Sequence, residues 1–129
     1  DALRHFEKAW QMDEKDKKAF GATLPFNMGL AQSNLGNNEK ALRHFEEADQ
    51  MDEKDKKVLG ATLPFNMGLA QSNLGNHEKA LRHFEEAWQM ETDEQEKVKL
   101  QEQIDLTKKQ IRDNQPKPNN KKWFQLLWR

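Results

Sequence analysis

The chain has 129 residues, 35% of them hydrophobic and 33% charged, with a formal net charge of −1 at neutral pH. That is enough for one domain and too little apolar material for a second core. The absence of cysteine excludes disulfides, thiolate nucleophiles and thiolate metal sites. Charge is uneven along the chain, with 12 Lys/Arg against 16 Asp/Glu in residues 1–91 and 9 against 6 in residues 92–129. A uniformly basic nucleic-acid surface is therefore not expected. There is no signal-peptide pattern and no apolar run near the ~20 residues a membrane helix needs. The expectation is a soluble, cytoplasmic protein whose partners include neither nucleic acid nor membrane.

Residues 2–40 and 41–79 align without a gap and are identical at 34 of 39 positions. The five differences are Lys8/Glu47, Trp10/Asp49, Ala19/Val58, Phe20/Leu59 and Asn38/His77. A third copy starts at Ala80 and keeps ALRHFEEAWQM before diverging. A fixed period near 40 residues with helical patterning marks a helical solenoid. Natural repeats usually diverge, so near-identity points to recent duplication or to units joined by design, and the second is preferred.

The chain opens inside a helix of the second type, whose stripe Leu3, Phe6 and Trp10 forms an N-terminal face lacking one neighbour. The first helix of each hairpin carries Leu24, Met28, Ala31 and Leu35, with Gly29 placed for close approach of a facing helix. Pro25 and Pro64 leave two starts open. The helix begins at Thr23 and Thr62, each able to cap it, or begins near Lys57 and kinks at the proline. Val58 and Leu59 call for burial, so the early, kinked start is the expectation. The turn Leu74-Gly75-Asn76 closes the hairpin. Asn37 or Asn38, and Asn76 in the next copy, cap the second helix, with Glu39 and Glu78 in its first turn. Ala41, Leu42, Phe45 and Ala48 recur at helical spacing, as do Ala80, Leu81, Phe84 and Ala87. The run Asp52-Glu53-Lys54-Asp55 ends the helix, being too polar to bury.

Residues 1–91 thus form the repeat array, and residues 92–114 a capping helix whose apolar side is Val98, Leu100, Ile104 and Ile111. Residues 115–120, QPKPNN, break it as a linker. Residues 121–129, KKWFQLLWR, place Trp123, Phe124, Leu126, Leu127 and Trp128 around a short amphipathic interaction tail. This tail can fold onto its own chain, dock on another copy, or act as a basic aromatic helix at a membrane or a calmodulin-type groove.

Asn66-Met67-Gly68, then Gly75 seven residues on, then Ala80, Phe84 and Ala87 resemble the tetratricopeptide repeat. The words NMGLAQSNLGN are similar to the extended repeats of LGN-type polarity adaptors and kinesin light chains, and the likeness covers about residues 2–91. The resemblance implies an all-α, right-handed α-solenoid of antiparallel helix hairpins. It also implies a concave surface, lined by first helices, that binds extended peptides. The matching positions here are Phe26, Asn27, Leu30, Ser33 and Asn34, then Phe65, Asn66, Leu69, Ser72 and Asn73. Chaperone-binding members grip a terminal carboxylate with lysines, and these positions hold none, so that mode is disfavoured. The chain departs from the family at Pro25 and Pro64, which replace a Trp, and at Gln32 and Gln71, which replace an aromatic. It also lacks the family's proline between repeats.

His5, His44 and His83 recur at the period, each near carboxylates, and a His/Glu pair on one helix face can ligate a metal. No third ligand is evident, so no metal or cofactor is assigned, and His77 is placed at an exposed cap. Ser33 and Ser72 lie mid-helix without a base, and nothing resembles a phosphate loop, which excludes an enzyme. The reading is a protein–protein interaction scaffold or self-assembling repeat protein, whose partner is a protein, a peptide or another copy. The alternative is a natural adaptor gripping a peptide in the groove; a metal-binding protein using the repeated histidines is a distant third.

Overall fold

The computed structural model describes residues 2–10 and 20–115, apart from the side chains of Phe6, Ala9 and Trp10. Seven helices and no strand occur among the described residues. They are α1 (Ala2–Trp10), α2 (Thr23–Asn34), α3 (Asn38–Asp49), α4 (Glu53–Lys56), α5 (Thr62–Asn73), α6 (His77–Met90) and α7 (Glu94–Asp113). Helices α2 and α3 form one antiparallel hairpin, and α5 and α6 a second. Helix α1 packs on α2, α3 packs on α5, and α6 packs on α7, so each hairpin leans on the long helices before and after it. This is an α-solenoid of helix hairpins.

Each hairpin closes over one aromatic ring. A Cβ added at Gly68 would lie 2.5 Å from Cε1 of Phe84, and one at Gly29 would lie 2.4 Å from Cε1 of Phe45. The rings therefore sit where any side chain on the first helix would be. Phe45 and Phe84 are 1% and 0% exposed, and burial of each contributes roughly 1.5–3 kcal/mol. Ala41 and Ala48, like Ala80 and Ala87, are buried one turn either side and let the helices come close. Phe26 tilts against Phe45 at 5.7 Å between ring centroids, and Phe65 against Phe84 at 5.8 Å. Phe45 also joins the hairpins, because Leu63, Met67 and Ala70 of α5 belong to its cluster. Phe84 repeats the role toward α7 through Ile104.

The early start of the first helix is not observed. Gly60 has a left-handed backbone, φ +56°, and α5 begins only at Thr62. A left-handed residue cannot continue a helix, so Val58 and Leu59 fall in a turn before it. Pro64 is then the third helical residue, where its missing N–H costs nothing, and it is buried. Thr62 does not cap the helix either: its hydroxyl donates to the Leu59 carbonyl, and Ala61 holds the cap position. Val58, expected to be buried, is 78% exposed.

The turn between α5 and α6 is a Schellman arrangement. Gly75 is left-handed at φ +83°, its N–H donates to Ser72, and the Asn76 N–H donates to Gln71. Asn37 and Asn76 do occupy the caps of α3 and α6, yet their side chains bond no helix N–H. Each Nδ2 donates instead to a glutamine Oε1, Asn37 to Gln32 and Asn76 to Gln71, both at 2.9 Å. The reason is burial. Gln32 and Gln71 are 6% exposed, and a buried carbonyl without a partner costs more than a helix N–H that water can reach.

The two inter-hairpin connections differ. Residues 50–61 include the one-turn helix α4, where the sequence suggested only a polar break. Lys56 supports it, bridging Glu53 at 3.0 Å and Asp49 at 3.6 Å. The Glu53 carboxylate bonded to its ammonium, helped by Asp49, holds Lys56 above the ordinary lysine value. Between α6 and α7 only residues 91–93 intervene. Trp88, which stands where α3 has Asp49, packs against the Phe84–Ile104 cluster, and Lys97 of α7 sits 4.6 Å over its ring. Leu100, Ile104 and Thr107 form the buried side of α7; Ile111 is half-buried and Val98, expected with them, is exposed. Leu35, placed on the α2 stripe, is likewise exposed, because it follows the last turn of the helix. Among the described residues no helix is long and apolar enough to cross a membrane.

Two consequences are measurable by urea unfolding. Gly68→Ala drives a methyl into the Phe84 ring and should destabilise the protein by about 1–3 kcal/mol. Adding Phe84→Leu should cost less than the sum of the two single changes, because the ring that meets the methyl is gone; full additivity would refute the contact. Asn76→Ala orphans the Gln71 carbonyl and should cost about 1–3 kcal/mol, with Gln71→Leu in the same chain recovering part of the loss.

Candidate functional site

A cleft of about 560 Å³ opens between α5 and α7. Ala61, Thr62 and Phe65 form one wall, at the start of α5. Glu96, Lys99, Leu100, Glu102, Gln103 and Leu106 of α7 form the other, and Glu91 of the connection closes one end. Its apolar part is Phe65, half-buried against Phe84, with Leu100 and Leu106 opposite. Leu106 is 49% exposed. Three carboxylates and one ammonium line it, and Lys99 lies 3.3 Å from Glu96.

Local sequence sets the α7 wall. Asp93 is the N-cap, its Oδ1 accepting from the Gln95 N–H at 2.8 Å and the Glu96 N–H at 3.2 Å. Glu91 Oε1 accepts from the N–H groups of Thr92 and Asp93, both at 3.1 Å. Both ends of the short connection are thereby tied, which fixes where α7 starts relative to α5.

The residues named from the sequence fall at different depths. Phe26 is buried against Phe45, and Leu30 is half-buried against the same cluster. Leu69 is half-buried beside Phe84, and Asn27, Ser33 and Ser72 are half-buried. The two serines sit in the last turns of their helices, not mid-helix. Asn66 is half-buried and its Nδ2 donates to the Thr62 carbonyl of its own helix at 2.8 Å. Asn34 and Asn73 are exposed, and Asn73 donates across the hairpin tips to Asn38 Oδ1 at 3.3 Å. Of this set only Phe65 lines the cleft. The α7 side chains were missed because that helix shares no words with TLPFNMGLAQSN, so its groove-facing register could not be copied from the repeats. Its signal was the lone Leu106 off the Leu100–Ile104 stripe.

Leu3 is half-buried on α1, while the side chains of Phe6 and Trp10 lie outside the described residues. So do Trp123, Phe124, Leu126, Leu127 and Trp128. His44 Nδ1 is 4.0 Å from Glu47 Oε2, and His83 Nδ1 is 3.9 Å from Glu86 Oε2. Among the described residues no three His, Asp or Glu gather as a metal site would need. His77, expected in solvent, is half-buried as the first residue of α6, with its Nδ1 enclosed.

A second cavity, about 790 Å³, lies among α3, α4, α5 and α6, with Leu63, Pro64 and Met90 beneath Asp49, Glu53, Lys54, Lys56, Lys57 and Glu86. Lys56 already pairs there with Asp49 and Glu53.

The tetratricopeptide repeat family model matches residues 26–55 and 65–93. No curated protein matches the chain. Since Asp93 anchors one wall of the cleft, Asp93→Ala should remove about 1 kcal/mol. Amide exchange at Gln95 and Glu96 should speed up; unchanged protection there would show that the cap does not hold α7.

Proposed function

Residues 26–93 carry two tandem tetratricopeptide repeats, and on that premise we propose that the chain takes an extended peptide in the cleft between α5 and α7. The family is in general a protein-interaction scaffold and not an enzymatic one. What supports the specific reading is Leu106, half exposed on α7 across from Phe65 on α5, over a cleft wide enough for a bulky side chain. Apolar floors with a few charged groups at the rim are how such sites fix a ligand's position.

The rim also states the chemistry of the partner. Glu91, Glu96 and Glu102 outnumber Lys99, so the preferred peptide has an apolar anchor flanked by lysine or arginine. In this reading Asn27, Leu30, Ser33 and Asn34 of α2, with Asn66, Leu69, Ser72 and Asn73 of α5, extend the binding surface along the first helices. The near-identity of the units supports copying of a single hairpin, by recent duplication or by design. Either origin is compatible with a scaffold.

A peptide array varying anchor and charge tests this. Binders should carry an aromatic or leucine anchor beside basic residues, and Leu106→Glu should weaken them by about tenfold or more, equivalent to ~1.4 kcal/mol. Leu69→Glu should weaken only the longer ones. Equal binding by wild type and Leu106→Glu sinks the assignment.

A further inference from the structure

The cleft between α5 and α7 has an apolar floor open to solvent and an acidic rim, and the chain carries a segment of matching chemistry. We propose that residues 121–129, KKWFQLLWR, dock in that cleft of their own chain. The inference rests on the proposed function only in treating the cleft as a peptide-accepting surface, and its test uses no added peptide, so the two can fail separately.

Charge complementarity is the first argument. Residues 116–129 hold Lys117, Lys121, Lys122 and Arg129 and no acidic residue, whereas the cleft presents Glu91, Glu96 and Glu102 against Lys99 alone. Lys99 is itself within 3.3 Å of Glu96. The segment's Trp123, Phe124, Leu126, Leu127 and Trp128 bring large apolar side chains to a floor made by Phe65, Leu100 and Leu106.

Reach is the second. Helix α7 stops at Asp113, and Pro116 disfavours helical geometry at the residue before it. Leu106 lies about 10 Å back along the helix axis at 1.5 Å per residue. Residues 116–120 span up to about 17 Å when extended, a reach long enough for Lys121 to come level with Leu106. From there the segment can run along the cleft toward Thr62.

The larger cavity among α3 to α6 does not suit this occupant. It carries Lys54, Lys56 and Lys57 and sits by Met90, at the end of α6 opposite the C-terminus of α7. A helix the length of α7 covers about 30 Å, beyond the span of the connecting residues.

Because the chain has no cysteine, a pair introduced into the 129-residue chain reports contact without ambiguity. Leu106→Cys with Leu127→Cys is compared with Lys108→Cys with Leu127→Cys, in a glutathione redox buffer at low protein concentration. Lys108 lies on the other flank of α7, beside Trp88, and is at least as close to the segment in sequence, so tethering alone favours neither pair. Docking predicts intramolecular disulfide formation about tenfold or more faster for the Leu106 pair, as a raised effective concentration requires. Phe124→Cys in place of Leu127→Cys should show the same preference. Equal rates for the two α7 positions overturn the proposal. So does a disulfide-linked dimer as the main product, which would hand the cleft to a second copy.

Discussion

The fold depends on a ring occupying the space of a missing side chain. Phe84 over Gly68, and Phe45 over Gly29, set how near the two helices of a hairpin come. Most else follows from that distance. The alanines either side of each phenylalanine are small because the helices are close, and the far side of each ring is left to meet the next element. One residue type thus closes a hairpin and also joins it to its neighbour, which is how a chain with so little apolar material builds its core as one cluster around each ring.

The hairpins are nearly alike, and the connections between them are not. Residues 50–61 make a detour through α4, held by Lys56 between Asp49 and Glu53. Residues 91–93 make none, and Trp88 in place of Asp49 lets α7 settle directly on α6 beneath the Lys97 ammonium. A change at one helical position therefore accompanies two lengths of connection between successive hairpin elements. The shorter connection, tied by the Asp93 cap, leads into the helix that carries Leu106 across the cleft from Phe65.

Much of this was legible in the sequence because the unit is written twice. Gly29 with Phe45, and the alanines around it, identify themselves by period and by spacing on a helix. The limits are physical as well. Pro64 and the apolar Val58 and Leu59 suggested a long kinked helix, but the backbone at Gly60 is left-handed and breaks it; only the three-dimensional path shows that φ. Asn76 looked like an ordinary helix cap, whereas the burial of Gln71 claims its amide. The cleft needed α7, whose residues have no counterpart to copy from, and Phe26, Leu30 and their equivalents divide between core and surface in a way that helical spacing alone does not resolve.

Near-identical interfaces carry a hazard of their own: a hairpin of one molecule could pair with the wrong partner, in the same chain or in another, at little energetic penalty. Trp88 removes much of that degeneracy. Seating α7 on α3 instead of α6 would bring the Asp49 carboxylate to the place the indole fills, and would strip Asp49 from Lys56. There the short Asp49 side chain has no apolar surface to set against Ile104 and no ring to lie beneath Lys97, so the seat loses the contacts that Trp88 makes. The indole is therefore a registration mark, telling two otherwise interchangeable helices apart and leaving α7 a single seat.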